Sequence, residues 1–190
     1  DIVDGKSSIL EELDLEKEKY ILVTIHREDN TNDLERLKNI FEALYSIVEK
    51  SGFNIVLPLH PRTMKVINNN PDIKIFKTVK DSCKIKIIPP ISFFDMIKLE
   101  KYCLMIMTDS GGVQKEAYFF KKKSIILRSE TEWVEIVETG NAIIADADKD
   151  RIIKAFESIG NSKINNYPNI FGDGHSADFI CSKLIYIFNN

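Results

Sequence analysis

No apolar run in this 190-residue chain comes near the roughly 20 residues a membrane-crossing helix needs. The opening stretch DIVDGKSSILEELDLEKEK is charged and lacks the apolar core of a secretory signal. Cysteine is scarce. Cys83, Cys103 and Cys181 are an odd number without metal-type spacing, which argues against a disulfide framework or a zinc site. Two of them sit in or beside apolar runs, so the expectation is reduced, mostly buried thiols in a cytoplasmic protein. Charge of one sign is also missing: 26 basic against 29 acidic residues leave a net charge of −3, and nothing in that balance suits nucleic acid or an anionic membrane. The chain has only eight glycines. No G-x-x-x-x-G-K-[ST] occurs, and no G-x-G-x-x-G follows a predicted strand, which argues against a P-loop nucleotidase or a simple dinucleotide-binding domain.

What is present is ordinary for a soluble globular chain, with 44% hydrophobic and 29% charged residues. Short apolar runs, rich in Ile, Val and Leu on both faces, predict buried parallel strands at 20–25, 54–59, 85–88, 104–107, 124–127 and 142–145. Between them lie helical patterns, the clearest at 33–50, where Leu34, Leu37, Phe41, Leu44 and Val48 form one stripe and Asn32 with Glu35 reads as a capping pair. Further helices are predicted at 63–69, 93–101, 112–120, 132–139, 148–159 and 176–188. The Asn-rich stretches 68–70 and 161–169 read as loops, and the second is expected to carry the last helix away from the sheet. This alternation specifies an α/β fold: one parallel sheet covered by helices on both faces, in a single domain of residues 1–190.

In such sheets ligands bind beyond the carboxyl ends of the strands. Four polar strand ends fall on that rim: His26 to Asp29, His60 to Arg62, Thr108 to Gly112, and Arg128 to Trp133. Gly111 and Gly112 open a helix, where free backbone N–H groups and the positive end of the dipole suit a diphosphate, and Ser110 adds a hydroxyl. The competing reading is a tight turn capped by Asp109 or Ser110. His26 suits a phosphate donor or an acid–base group, and equally a satisfied rim histidine. Glu116, one turn into the helix, suits sugar hydroxyls or dipole compensation. Ser129 with Glu132 fits a capping box, the Lys121–Lys123 run reads as a solvated loop, and Trp133 reads as core.

The segments ILVTIHRED, VLPLHPR, MTDSGGVQKEA, LRSETEWVEIVETG and FGDGHSA, in this order, resemble the non-hydrolysing UDP-N-acetylglucosamine 2-epimerases, specifically their C-terminal half. The resemblance covers nearly the whole chain. It implies a Rossmann-like domain forming the C-terminal half of a GT-B two-domain fold, with residues 1–19 holding a crossover segment and first helix, and 161–190 a loop and C-terminal helix. The N-terminal domain, which in the family carries the carboxylates that handle the C2 proton, is expected to be absent from this chain. The implied reaction interconverts UDP-N-acetylglucosamine and UDP-N-acetylmannosamine by elimination and re-addition of UDP, without metal, nicotinamide or other cofactor. The implied catalytic residue is His26, beside the departing diphosphate. The implied UDP contacts are Ser110, Gly111 and Gly112 at the diphosphate, Glu116 at the ribose, and Arg27, His60, Phe94 and Met96 at the cleft. The implied partners are a UDP-sugar, the other domain and a second copy of the full-length chain. Glu28, Met96, Lys121 and Phe179 depart from the family's usual residues. The alternatives are the nucleotide half of a GT-B glycosyltransferase, a hydrolysing relative, and a UDP-sugar-binding module without catalysis.

Overall fold

The computed structural model describes residues 4–161 and 166–189; the first residues of the expected crossover segment and part of the expected 161–169 loop lie outside them. In chain order the elements are α1 (Ile9–Glu12), β1 (Tyr20–Thr24), α2 (Glu28–Thr31), α3 (Leu34–Ser51), β2 (Asn54–Pro58), α4 (Pro61–Asn69), α5 (Lys74–Asp81), β3 (Ile85–Ile88), α6 (Phe93–Tyr102), β4 (Met105–Thr108), α7 (Gly111–Phe119), β5 (Lys123–Ile126), α8 (Val134–Glu138), β6 (Ala142–Ile144), α9 (Lys149–Asn161) and α10 (Ser176–Phe188). The six strands form one parallel sheet in the order β3-β2-β1-β4-β5-β6. The chain leaves β1 toward β2 on one side and later returns to place β4 on its other side. The reversal opens a crevice beyond the carboxyl ends of β1 and β4.

Side-chain alternation along β1 assigns the layers. Ile21, Val23 and Ile25 join a core built from α3, α4, α5 and α9, which supply Leu37, Phe41, Ile67, Phe76, Ile152 and neighbours. Tyr20 and Leu22 join the opposite core, with Ile9 and Leu10 of α1, Leu99 of α6 and Ala117 of α7. A third cluster gathers Tyr118, Ile126, Ile136 and Ala142. Among the described residues no helix is long and apolar enough to cross a membrane.

All six predicted strands form, within one residue of their predicted ends. The departures have local causes. The cap of α3 is Asp33, whose carboxylate accepts from the N–H groups of Glu35 and Arg36, so Asn32 is not the cap. Leu34 sits at the first turn and is exposed; the buried stripe runs through Leu37, Ile40, Phe41, Leu44, Ile47 and Val48. Asn68 and Asn69 finish α4, and α5, which was not foreseen, buries only Phe76 and Val79. The lysine run is not a solvated loop: Lys122 reaches Glu18 at 3.3 Å and Lys123 is the first residue of β5. Of the three cysteines only Cys103 is buried.

α10 stands apart, as expected. None of its residues is buried, and Phe179, Ile180, Ile185 and Phe188 are exposed. The two ends of the fold therefore differ sharply in their contribution to stability. Phe41, fully buried and edge-on to Phe76 at 5.5 Å, is central. Phe41→Ala should cost about 3–5 kcal/mol of unfolding free energy. Deleting α10 should leave the denaturation midpoint of the sheet unchanged. A midpoint that falls with the deletion would show that α10 packs on this domain in solution.

Candidate functional site

The crevice at the sheet reversal is organised by one buried carboxylate. Asp109 follows β4 and is fully buried. Its oxygens accept from the backbone N–H of His26 at 3.1 Å, the N–H of Arg27 at 3.0 Å and the Asn30 side-chain amide at 3.1 Å. His26 Nδ1 lies 3.3 Å from Asp109 Oδ1. The imidazole is thus held beside the carboxylate, while the hydrogen bonds from His26 to Asp109 come from its backbone. The His26 side chain is half exposed. A charge out of water needs several donors to be tolerated, and Asp109 has them. Asn30 also donates to Leu127 O, and its own carbonyl oxygen accepts from Arg36, whose guanidinium pairs with Asp146 at 2.6 Å. The carboxyl ends of β1, β4 and β5 are thereby tied to α3.

Immediately after Asp109 comes the glycine pair. Ser110 is the N-cap of α7, its hydroxyl accepting from Val113 N–H at 3.4 Å, while its own N–H donates to Thr108 Oγ1. Neither Gly111 nor Gly112 has a positive φ, so left-handed turn geometry is not why glycine stands there. Space is the reason at Gly111: a Cβ would meet Glu132 Oε2 at 3.1 Å and Trp133 Nε1 at 3.6 Å. At Gly112 a Cβ would meet only Ser110 Oγ, at 3.8 Å, and the position opens outward. Among the described residues no acceptor takes the N–H of Gly111 or Gly112, so the first turn of α7 offers two free donors at its positive end.

A shallow cleft of about 240 Å³ beside this turn is lined by Thr24, Ile25, His26, Pro58, His60, Pro90, Ile91, Met96 and Val113. Thus the fold brings His26, His60 and Met96 together. His60 caps α4 by accepting Arg62 N–H on Nδ1, which leaves Nε2 as a donor. Arg27 bonds Asp109 through its backbone, and its guanidinium lies 3.6 Å from Glu132. Phe94 does not line the cleft: its ring stacks edge-on to Phe93 and beneath the Lys6 ammonium at 4.7 Å. Glu116, partly buried, lies along α7 one turn beyond Val113.

Three roles read from sequence change. Asp109 was read as a turn or capping residue and is the buried anchor of the rim. The Ser129–Glu132 capping box does not form, because α8 begins at Val134 and Glu132 is held by two short bonds from Arg128, which keep its carboxyl below the usual range. Trp133 is partly buried and donates its indole N–H to Gly111 O at 2.8 Å, so it braces the glycine turn.

The anchor makes a clear prediction. Asp109→Asn replaces an all-acceptor group by one that turns an NH₂ toward donors. Each charge-assisted bond weakened costs roughly 1.5–3 kcal/mol, so the variant should lose at least about 2 kcal/mol of stability in urea denaturation. Wild-type stability would remove Asp109 from this role.

Comparison with known proteins places the chain in a family. The family model described as UDP-N-acetylglucosamine 2-epimerase matches residues 2–185. A UDP-N-acetylglucosamine 2-epimerase homolog of Methanococcus maripaludis is 41% identical over 96% of this chain and 48% of its own length. The UDP-N-acetylglucosamine 2-epimerase of Methanocaldococcus jannaschii is 41% identical over 88% of this chain and 44% of its own. The crystal structure of the M. jannaschii enzyme in complex with UDP-GlcNAc and UDP superposes with a TM-score of 0.83 at 38% identity, covering 97% of this chain and 50% of that one. The chain spans about half the length of the curated relatives it matches, and over that half it belongs to the UDP-N-acetylglucosamine 2-epimerase family.

Proposed function

We propose that this chain is the UDP-binding half of a UDP-N-acetylglucosamine 2-epimerase, in which UDP is eliminated from the sugar and added back after inversion at C2. The observation that supports this reading is the free N–H pair of Gly111 and Gly112 at the positive end of α7, beside the crevice that holds His26. Such donors suit the diphosphate. His26, placed beside Asp109 by its backbone, lines the same crevice and stabilises negative charge as it builds on the leaving group. Glu116 takes the ribose hydroxyls, and Arg27, His60 and Met96 contribute around the nucleotide, with Phe94 outside the cleft lining.

Among the described residues no carboxylate lines the cleft. Inversion at C2 needs a base there. We assign that base to the half of the relatives' length that this chain does not match, across the cleft. That half also covers the exposed apolar side chains of α10, and the complete protein pairs with a second copy in the cytoplasm. On this reading a glycosyltransferase, a hydrolysing relative and a binding module share the nucleotide wall and differ in what opposes it.

Gly112→Val places a branched side chain where the diphosphate would approach, in a position with room inside the fold. UDP affinity by calorimetry should fall about 10- to 150-fold, the worth of one charge-assisted contact, with an unchanged denaturation midpoint. Unchanged affinity would exclude the glycine turn as the diphosphate site. Incubating the 190-residue chain with UDP-N-acetylglucosamine in heavy water should give no deuterium at C2 by NMR. Label at C2, or any N-acetylmannosamine product, would place the base within this chain.

A further inference from the structure

We propose that Glu100 keeps its proton inside the fold and donates a hydrogen bond to Glu116, so that Glu116 is held as an oriented acceptor behind the nucleotide cleft. Glu100 is then a positioning residue, acting through Glu116, and the proposal rests on the ribose role given to Glu116 above.

The placement comes from two helices. α6 and α7 both start at the carboxyl rim of the sheet and run away from it side by side. Met96 on α6 and Val113 on α7 line the cleft. Glu100 is four residues after Met96 and Glu116 three after Val113, so each carboxyl lies one turn deeper on the same helical face as a cleft residue. The two meet there, within hydrogen-bonding reach of each other. Glu100 is completely buried, and among the described residues no donor reaches either of its oxygens.

Two carboxylates in contact, one of them shut away from water, cannot both be ionised. A single proton turns the acceptor–acceptor contact into an O–H···O⁻ bond, which is short and strong. Glu100 is the one that holds it, because Glu116 is only partly buried and keeps access to water. Burial, reinforced by the charge of Glu116 and by the bond between them, pushes the Glu100 carboxyl up to about 9.

The other ionisable groups around Glu100 are accounted for. Cys103, the residue that caps the end of the same helix, gives its Sγ–H to Glu100 O, and burial pushes its thiol up to about 12. Tyr20 of β1 donates its hydroxyl to Leu99 O, and burial raises it well above the usual tyrosine range. Lys98 is engaged by Ser7 O and Glu11 of the α1 segment, Lys101 by Asp4, and Lys122 by Glu18. None of them supplies a donor to Glu100.

Three measurements test the pair. In chain labelled with ¹³C at glutamate carboxyls, the resonance missing from Glu100→Gln should report a protonated acid at neutral pH that ionises near 9, and Glu116→Gln should lower that midpoint by removing the neighbouring charge. UDP binding by calorimetry should then separate the variants. Glu100→Gln keeps a donor and does not titrate, so it should match wild type near pH 7 and bind about ten-fold more tightly than wild type at pH 10, where roughly nine-tenths of Glu100 is ionised. Ionisation of the uracil imide affects both proteins alike and cancels in the ratio. A Glu100 resonance already ionised at neutral pH, or a ratio that does not change with pH, overturns the proposal. Unchanged UDP affinity in Glu116→Gln overturns the ribose role of Glu116, and the carboxyl titration tells that failure apart from failure of the pair.

Discussion

The whole rim depends on one buried negative charge. Asp109 sits where β4 ends, between the strand that carries His26 and the helix that carries the glycine pair. Its oxygens collect donors from the end of β1 and from α2, and through Asn30 and Arg36 the same network reaches α3 and Asp146, after β6. An ionised carboxylate with no exposure is tolerated only where donors surround it. The backbone between His26 and Asn30 is therefore obliged to fold over Asp109, and that obligation gives His26 its position. The geometry of a half-exposed side chain is set by a group that never meets solvent.

The turn after Asp109 shows the same economy. Glycine is usually explained by the left-handed region, yet neither Gly111 nor Gly112 is there. Gly111 is small because Glu132 and Trp133 lean on it, and they can lean because Arg128 fixes the first and Gly111 O takes the indole N–H of the second. Gly112 is small with almost nothing beside it. A residue without a side chain at an open position, next to N–H groups without acceptors, leaves backbone donors uncovered at a helix N-terminus. The two positions differ in setting, one crowded from inside and the other open outward.

Much of this was legible in the sequence. Buried parallel strands have a strong signal, a short apolar run stopped by polar residues, and all six form where predicted. The rim followed from them, since a strand's end fixes which residues face the crevice. Signals that depend on partners far along the chain were not legible. Asp109 looks like an ordinary cap because its donors, His26, Arg27 and Asn30, lie about 80 residues earlier. Ser129 and Glu132 had capping-box spacing, but Arg128 claims Glu132 first. α5 offers only two buried positions, too few for a stripe to show. Glu100 lies in a charged stretch, Lys98 to Lys101, whose spacing says nothing of which member faces inward.

The distribution of charge across the cleft carries a further consequence for the proposed reaction. This wall presents donors: free backbone N–H groups, the Nε2 of His60 and the positive end of a helix, with the His26 imidazole among them. Two of its carboxylates are engaged within the fold, Asp109 in the rim network and Glu132 on Arg128. A surface of that kind stabilises a departing diphosphate and is unsuited to pulling a proton from carbon, because a base among so many donors would be bonded and weakened. Elimination and re-addition need both operations at adjacent carbons. On the proposed reading, separating them onto two walls would let each keep the electrostatic environment it needs and would make closure of the cleft a condition for chemistry. A lone nucleotide wall would then hold UDP with its sugar facing water and leave the C2 proton where it was.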